Sequence, residues 1–540
     1  MSATTNRRSF LTQTSAFLAG AASFPTLVFA ADSAEVIAQT VYGKVRGTVS
    51  ADTKGDIKVF KGIPYGADTS GRNRFMPPVK PASWTGVRDA LSYGPTAPQT
   101  VGTGRGRGAV RMENEDCLVL NVFTPSLDSG SKCPVMVWLH GGGFSTGSGS
   151  GPTIEGTNLA RSGDVVVVSL NHRLNVLGFT YLGEQAGSDF ALSGGIGLLD
   201  LVSALQWVRD NIAQFGGDPN LVTIFGQSGG GRKVATLMSM PQAQGLYHRA
   251  IIESGAVLRL TPPETAIQYS ELLLAELGLR RDQARELQSV PLDKLLAANA
   301  AALKKTDQTA PGYTPNSPMV DGKFIPTNPW DPAGPAMSAK IPLLIGWAHT
   351  EETLYDRPTP ETLALDEAGL QARVGKRLGL DPVPVIETYR KAHPEASPWD
   401  LNILIGTDHP RGIYSRELAK RKAAQSAAPA YLYRFDWETP EGGGHMRSPH
   451  TIEIPFVFHN IAVAGPLISK MPEALVLSDK VSAAWVAFAR TGNPHTPSLP
   501  RWPAYSATTR DTMLFNNESR VQQDPDREPR LMMEKVLKTG

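Results

Sequence analysis

The sequence predicts an α/β fold built on a large, mostly parallel sheet, and three observations predict it. Short apolar runs recur along the chain and are continuous rather than alternating, which is the pattern of strands buried on both faces. Between two of these runs lies a stretch with apolar residues at helical spacing. Two of the runs also lead straight into glycine-rich segments, at the strand ends where ligands collect in parallel sheets.

The first strands are "PVMVWL" (134–139) and "VVVVSL" (165–170). The stretch "GLLDLVSALQWVRDNIAQF" (197–215) then sets Leu198, Val202, Leu205, Val208, Ile212 and Phe215 at three- and four-residue steps, the single apolar stripe of a helix. "LVTIF" (221–225), "RAIIES" (249–254), "IPLLIG" (341–346) and "AYLYRF" (430–435) complete the strand set. A strand, a helix and a second strand joined by a right-handed crossover give parallel pairing with helices over the faces. Residues 262–305 are helical in pattern, and 355–428 mix helices with proline-rich turns; both read as insertions over the sheet. "GTGRGRG" (102–108) is low in complexity and reads as a surface loop.

A chain of 540 residues exceeds the usual domain size, yet a single large α/β domain with insertions, spanning 31–540, accommodates it. Hydrophobic residues make up 41% and charged residues 19%, a globular rather than disordered composition. The first thirty residues hold Arg7 and Arg8 but no Lys, Asp or Glu, so without them basic and acidic residues are equal in number. That balance gives no reason to expect nucleic acid or anionic lipid as a partner.

The leader "NRRSFLTQTSAFLAGAASFPTLVFA" has twin arginines, an apolar stretch broken by Gly20 and Pro25, and small residues ending at Ala30. It reads as a twin-arginine export signal over residues 1–30, which places the mature protein in the periplasm or outside the cell. No other apolar segment approaches the roughly 20 residues of a spanning helix, so no membrane anchor is expected. Two cysteines, Cys117 and Cys133, make neither a disulfide framework nor a zinc site, and are expected as unpaired, buried thiols.

The segment "FGQSGGGRKV" (225–234) follows the strand "LVTIF" directly. Glycines two before and two after Ser228 allow a turn tight enough to lift the hydroxyl above the sheet. The residues that follow can begin a helix, whose N-terminus favours a developing anion. A phosphate loop fits poorly, because Arg232 stands where that motif needs lysine and no Ser or Thr follows Lys233. A second glycine cluster, "HGGGFSTGSGSG" (140–151), also follows a strand. Its bare amides can point at an oxyanion, so Gly142 and Gly143, with the amide of Gly229, form a candidate donor cluster. Nucleophile and donors at two strand ends both match what acyl transfer requires.

Such a serine needs a base and an acid, expected in the chain order serine, acid, histidine. Glu351 and Glu352 both follow the strand 341–346, whereas Asp321 in "VDGKF" reads as a hairpin turn residue. Six histidines lie beyond Glu351. His445, His450 and His459 lack the spacing of a metal site, and neither metal nor organic cofactor is called for.

The chain resembles the type-B carboxylesterases, the cholinesterase-like branch of the α/β-hydrolases. The resemblance rests on "KGIPYG", "EDCLVLNVFTP", "VWLHGGGF", "NHRLNVLGF", "GLLDLVSALQWVRDNIAQFGGDPNLVTIFGQSGGG", "AIIESG" and "HTIEIPFVF", spread over nearly the whole mature length. It implies the α/β-hydrolase fold, a Ser-Glu-His triad, a three-amide oxyanion hole and hydrolysis of carboxylic esters. The family's spacing falls on Glu351 for the acid, with Glu352 where relatives usually carry glycine, and on His450 for the base. Ser254 matches a serine placed behind the glutamate. Relatives often pair a cysteine near "YGPTAPQ" with the one in "EDCL"; Ala97 stands there instead, so Cys117 lacks that partner. Amides, carbamates and lactones would meet the same nucleophile and donors. Phe144, Trp347 and Phe456 are candidate borders of the site because they neighbour its residues in sequence.

Overall fold

The computed structural model describes residues 35–52, 56–99, 112–306, 315–465, 468 and 471–539. The expected export signal over 1–30 and the expected surface loop 102–108 lie outside the described residues.

Thirteen strands among the described residues form one sheet. They are β1 (Glu35–Thr40), β2 (Gly43–Ser50), β3 (Ile57–Pro64), β4 (Val87–Asp89), β5 (Val119–Thr124), β6 (Cys133–Leu139), β7 (Val166–Leu170), β8 (Gly217–Gln227), β9 (Arg249–Glu253), β10 (Leu343–Ala348), β11 (Ala430–Phe435), β12 (Asp511–Phe515) and β13 (Arg520–Gln523). Their spatial order is β1-β2-β3-β5-β7-β6-β8-β9-β10-β11-β12-β13, with β4 beside β2.

From β7 through β12 every neighbouring pair is parallel. All six strands expected from continuous apolar runs fall in this parallel centre, because strands covered on both faces have no polar side to alternate with. β6 shows the two-sided burial directly. Val135, Val137 and Leu139 enter one core layer, which also contains Leu198, Leu205 and Val234. Met136 and Trp138 enter the layer on the opposite face, with Phe225, Tyr433 and Trp485.

The antiparallel margins, β1, β2, β3 and β5 on one side and β13 on the other, carry no comparable run except in β5. β1 is buried only at alternate positions towards its end, as an edge strand should be.

The expected helix forms as α1 (Ile196–Asn211) and continues as a 3-10 turn, Ile212–Phe215. All six residues of its stripe are buried. The helical stretch Ser188–Phe215 is the exception to the expectation that no further segment reaches spanning length: by length and composition alone it is apolar enough to cross a membrane. Its apolarity has a different cause, since 72% of its most apolar window is buried inside the protein, against the sheet.

The two insertions build cores of their own. Helices Pro263–Glu276 and Leu292–Lys305 pack around Tyr269, Leu273 and Leu295. Helices Glu367–Leu378, Val383–Ala392, Pro398–Thr407 and Ile413–Ala424 pack around Leu370, Tyr389, Leu401 and Ile405. Cys117 and Cys133 are both buried and unpaired, and burial raises both thiols above their ordinary range.

Candidate active site

Ser228 stands between the end of β8 and α2 (Gly229–Leu237), with φ 58° and ψ −122°. A non-glycine residue holds such a conformation only when its surroundings over-determine it. The flanking glycines explain how. A Cβ on Gly226 would lie 2.5 Å from the Leu139 carbonyl oxygen, and one on Gly230 would lie 1.9 Å from the same atom. The end of β6 therefore presses on both sides of the serine turn, and only glycine leaves it room.

The glycine segment after β6 lies against this turn. Gly142 and Gly143 have φ of 85° and 63°, the left-handed region glycine adopts freely. A Cβ on Gly229 would fall 2.2 Å from the Gly143 carbonyl oxygen, so the two backbones are in direct contact. The amides of Gly142, Gly143 and Gly229 donate to no described residue. Lys233 of α2 fixes the start of the segment, its buried Nζ donating to the His140 carbonyl oxygen at 2.8 Å. Burial lowers that ammonium to about 7.

Glu351 opens the 3-10 turn Glu351–Leu354 after β10, and His450 lies in the loop beyond β11. The chain places them far apart, yet His450 Nδ1 and Glu351 Oε2 are 2.6 Å apart, both residues buried. Glu351 Oε1 accepts a further bond from the Ala348 amide at 3.0 Å, and Oε2 is ion-paired with Arg411 Nε at 2.8 Å. Burial pushes this carboxyl up, but His450, Arg411 and Ser254 together hold it below its ordinary value. His450 is shifted down: burial outweighs the pull of Glu351, and the cations Arg411 and Arg232 act in the same sense as burial.

The two glutamates left open by the residues alone diverge here. Glu352 turns away from the imidazole to Arg377 Nη2 at 2.6 Å, with Arg411 Nη1 at 3.6 Å. Burial raises its carboxyl, opposed by those two arginines. It lines a cavity of about 200 Å³ with Arg377, His409, Arg411 and Tyr414. Ser254 is near enough to the Glu351 carboxyl to lower it. Its hydroxyl donates to Glu453 Oε1 at 3.0 Å.

One expected contact is not made. Among the described residues Ser228 Oγ has no hydrogen bond to His450; the Gln227 amide nitrogen stands 3.2 Å from Nδ1 and 3.4 Å from Nε2. With Nδ1–H committed to Glu351, Nε2 is left as the ring's acceptor, and the Gln227 amide sits almost equidistant from both ring nitrogens. Nucleophile–base bonds of this kind commonly tighten only around substrate.

The suggested aromatic borders are packing residues. Trp347 and Phe456 sit in the core, Phe456 against Phe435 and Trp437 with ring centres 5.0 and 5.2 Å apart. Phe144 is buried against Phe179. His445 is exposed, and His459 pairs with Asp479 at 2.6 Å. Asp321 Oδ1 accepts from the Lys323 and Ile325 amides, a turn residue as its sequence suggests.

Gln227, Tyr355 and Arg411 were not singled out by sequence reasoning. Tyr355 lies with its ring centre 5.5 Å from that of His450 and carries the Arg411 guanidinium 4.8 Å above its face. Only Gln227 had a usable signal, its place directly before the serine. Arg411 and Tyr355 belong to the insertion, whose sequence has no period to mark them.

A serine on a strand-to-helix turn, with a glutamate after a later parallel strand and a histidine after the next, defines an α/β-hydrolase. Comparison with known proteins carries this further. The carboxylesterase family profile matches residues 34–372 and 387–531. Para-nitrobenzyl esterase of Bacillus subtilis is 36% identical over 504 residues, covering 92% of this chain and 97% of that protein. Phenmedipham hydrolase of Pseudarthrobacter oxydans is 32% identical, covering 89% and 95%. A crystal structure of a Geobacillus stearothermophilus carboxylesterase superposes with a TM-score of 0.79 at 37% identity, covering 92% of this chain and 99% of that one. The chain belongs to the carboxylesterase family and is a carboxylic ester hydrolase.

Proposed function

We propose that the protein hydrolyses small-molecule carboxylic esters through an acyl-enzyme on Ser228. The observation that carries this reading is the buried 2.6 Å pair of Glu351 and His450, at the strand ends where Ser228 stands beside three uncommitted amides. His450 Nε2 takes the Ser228 proton as Oγ bonds to the ester carbonyl carbon, displacing Gln227 from that nitrogen. The carbonyl oxygen becomes an anion held by the amides of Gly142, Gly143 and Gly229. When the C–O bond to the alcohol breaks, His450 returns the proton to the departing oxygen. Water repeats the sequence and frees the acid. Glu351 selects the Nδ1–H tautomer and stabilises the imidazolium. Arg411 holds the Glu351 carboxylate in place. The leader over residues 1–30 supports action in the periplasm or outside the cell.

The test is covalent labelling with a fluorophosphonate, followed by peptide mass spectrometry. The expected result is one adduct per chain, on Ser228. An adduct on another residue, or none from a protein that hydrolyses nitrophenyl esters, would overturn the acyl-enzyme on Ser228.

The pH dependence follows from the site's electrostatics. The base must be neutral, and burial holds His450 below the ordinary imidazole value of 6.5. Glu351, held down, stays ionised over the same range. kcat/KM should therefore rise with pH, with the midpoint of its acid limb below 6.5. A profile of kcat/KM against pH checks this, and a midpoint above 6.5 contradicts it.

A further inference from the structure

Several of the charges around the candidate triad are paired. Arg411 is engaged by Glu351 and Arg377 by Glu352. Arg373 pairs with Asp356 at 2.5 Å. Arg232 has neither a carboxylate within ion-pair distance nor a side-chain hydrogen bond among the described residues, although it is half-buried. It sits on α2 four residues after Ser228, its amide donating to the Ser228 carbonyl oxygen at 3.0 Å. Ser228 caps α2 and Arg232 is its fourth helical residue, so the two residues are neighbours at the start of the helix. Its electrostatic neighbours are Arg411, Tyr355 and Tyr414, all from the helical insertion over the site, and its charge is felt by His450. Arg411 and Tyr414 also line the cavity of about 200 Å³ beneath that insertion.

An unpaired guanidinium with a like charge beside it is unfavourable in a partly desolvated place, and burial together with Arg411 lowers its proton affinity. An anion arriving there would remove that cost and gain charge-assisted hydrogen bonds. The sequence around Arg232 does not make a phosphate loop. The neighbouring group that reacts in the proposed mechanism is Ser228, so an anion carried by the molecule being cleaved would meet both.

We infer that Arg232 recognises an ionised carboxylate on the ester substrate, so that the protein accepts half-esters of dicarboxylic acids or esters of hydroxy acids. This rests on the acyl-transfer reading of Ser228. The contact exists in the bound ester and in the transition state alike, so it acts on KM more than on kcat.

The experiment compares matched substrates with the full-length protein. One pair carries the charge on the acyl side, mono-para-nitrophenyl glutarate against para-nitrophenyl pentanoate. The other carries it on the alcohol side, para-carboxyphenyl butanoate against its methyl ester. In Arg232→Gln the anionic-to-neutral ratio of kcat/KM should fall roughly 10- to 100-fold in one pair, through KM. The pair that responds assigns the side. Arg232→Lys should recover part of the ratio, and the wild-type ratio should fall with added salt while that of Arg232→Gln does not. Ratios within about twofold of wild type in both pairs would overturn the inference, as would a loss confined to kcat. Fluorophosphonate labelling of Ser228 in the same preparation tests the Ser228 reading separately, so the two can fail independently.

Discussion

Ser228→Ala is expected to lower kcat on an aryl ester by about 10⁶, the scale set by removing the nucleophile of a serine triad. A residual rate above that of water, about 10³ to 10⁴, should survive from the oxyanion donors and from binding. The reason for so large a loss is geometric. β6 and the flanking glycines fix the serine at φ 58°, and α2 begins at its next residue. The Thr146 hydroxyl in the adjoining glycine segment is committed elsewhere, donating to the Gly142 carbonyl oxygen at 3.2 Å. The fold should tolerate the change, because alanine keeps the Cβ and the serine hydroxyl makes no hydrogen bond to a described residue. Steady-state turnover and the thermal midpoint measured on the same preparation separate the two effects. A variant that unfolds at the wild-type temperature yet retains more than about a hundredth of the activity would exclude Ser228 as the nucleophile.

The parts of this protein legible in its sequence are those in which one physical demand dominates. Two-sided burial makes the central strands continuous in Val, Ile and Leu, so β6 to β11 are recognisable as strands from their residues alone. The two tight turns demand glycine, because at Gly226 and Gly230 a Cβ would strike backbone. What stayed hidden depends on contacts between distant segments. β1 to β3 form the antiparallel margin, whose pattern is broken by polar residues. Arg411 reaches Glu351 from a helical insertion, and nothing in "DHPRGIYS" announces that contact. Glu351 and Glu352 are adjacent and alike in composition of surroundings, so residue reasoning alone left both open. The resemblance to relatives favoured Glu351, and the direction in which each side chain leaves its 3-10 turn supplies the independent physical distinction.

That distinction has its own large consequence. Glu351→Gln should lower kcat by about 10⁴, whereas Glu352→Gln should lower it by no more than about tenfold. The Glu351 carboxylate has hydrogen bonds with the Ala348 amide and His450 Nδ1 and an ion pair with Arg411. An amide has one accepting oxygen and an NH2 group that can only donate. With its oxygen held by Arg411 or by the Ala348 amide, the NH2 faces His450 Nδ1 and turns that nitrogen into an acceptor. The proton then sits on Nε2, which faces the serine side and can no longer take a proton from it. The imidazolium also loses its counter-charge, while Arg411 remains beside it. Glu352 engages only arginines, and Arg411 keeps its shorter contact with Glu351 when Glu352 is neutralised. Removing that charge leaves Arg377 without its partner, a change that falls on the stability of the insertion rather than on proton transfer. Turnover and thermal midpoints of both variants decide the matter. Equal losses in kcat, or a greater loss in Glu352→Gln, would transfer the acid's role to Glu352 and require the turn after β10 to rearrange during the reaction.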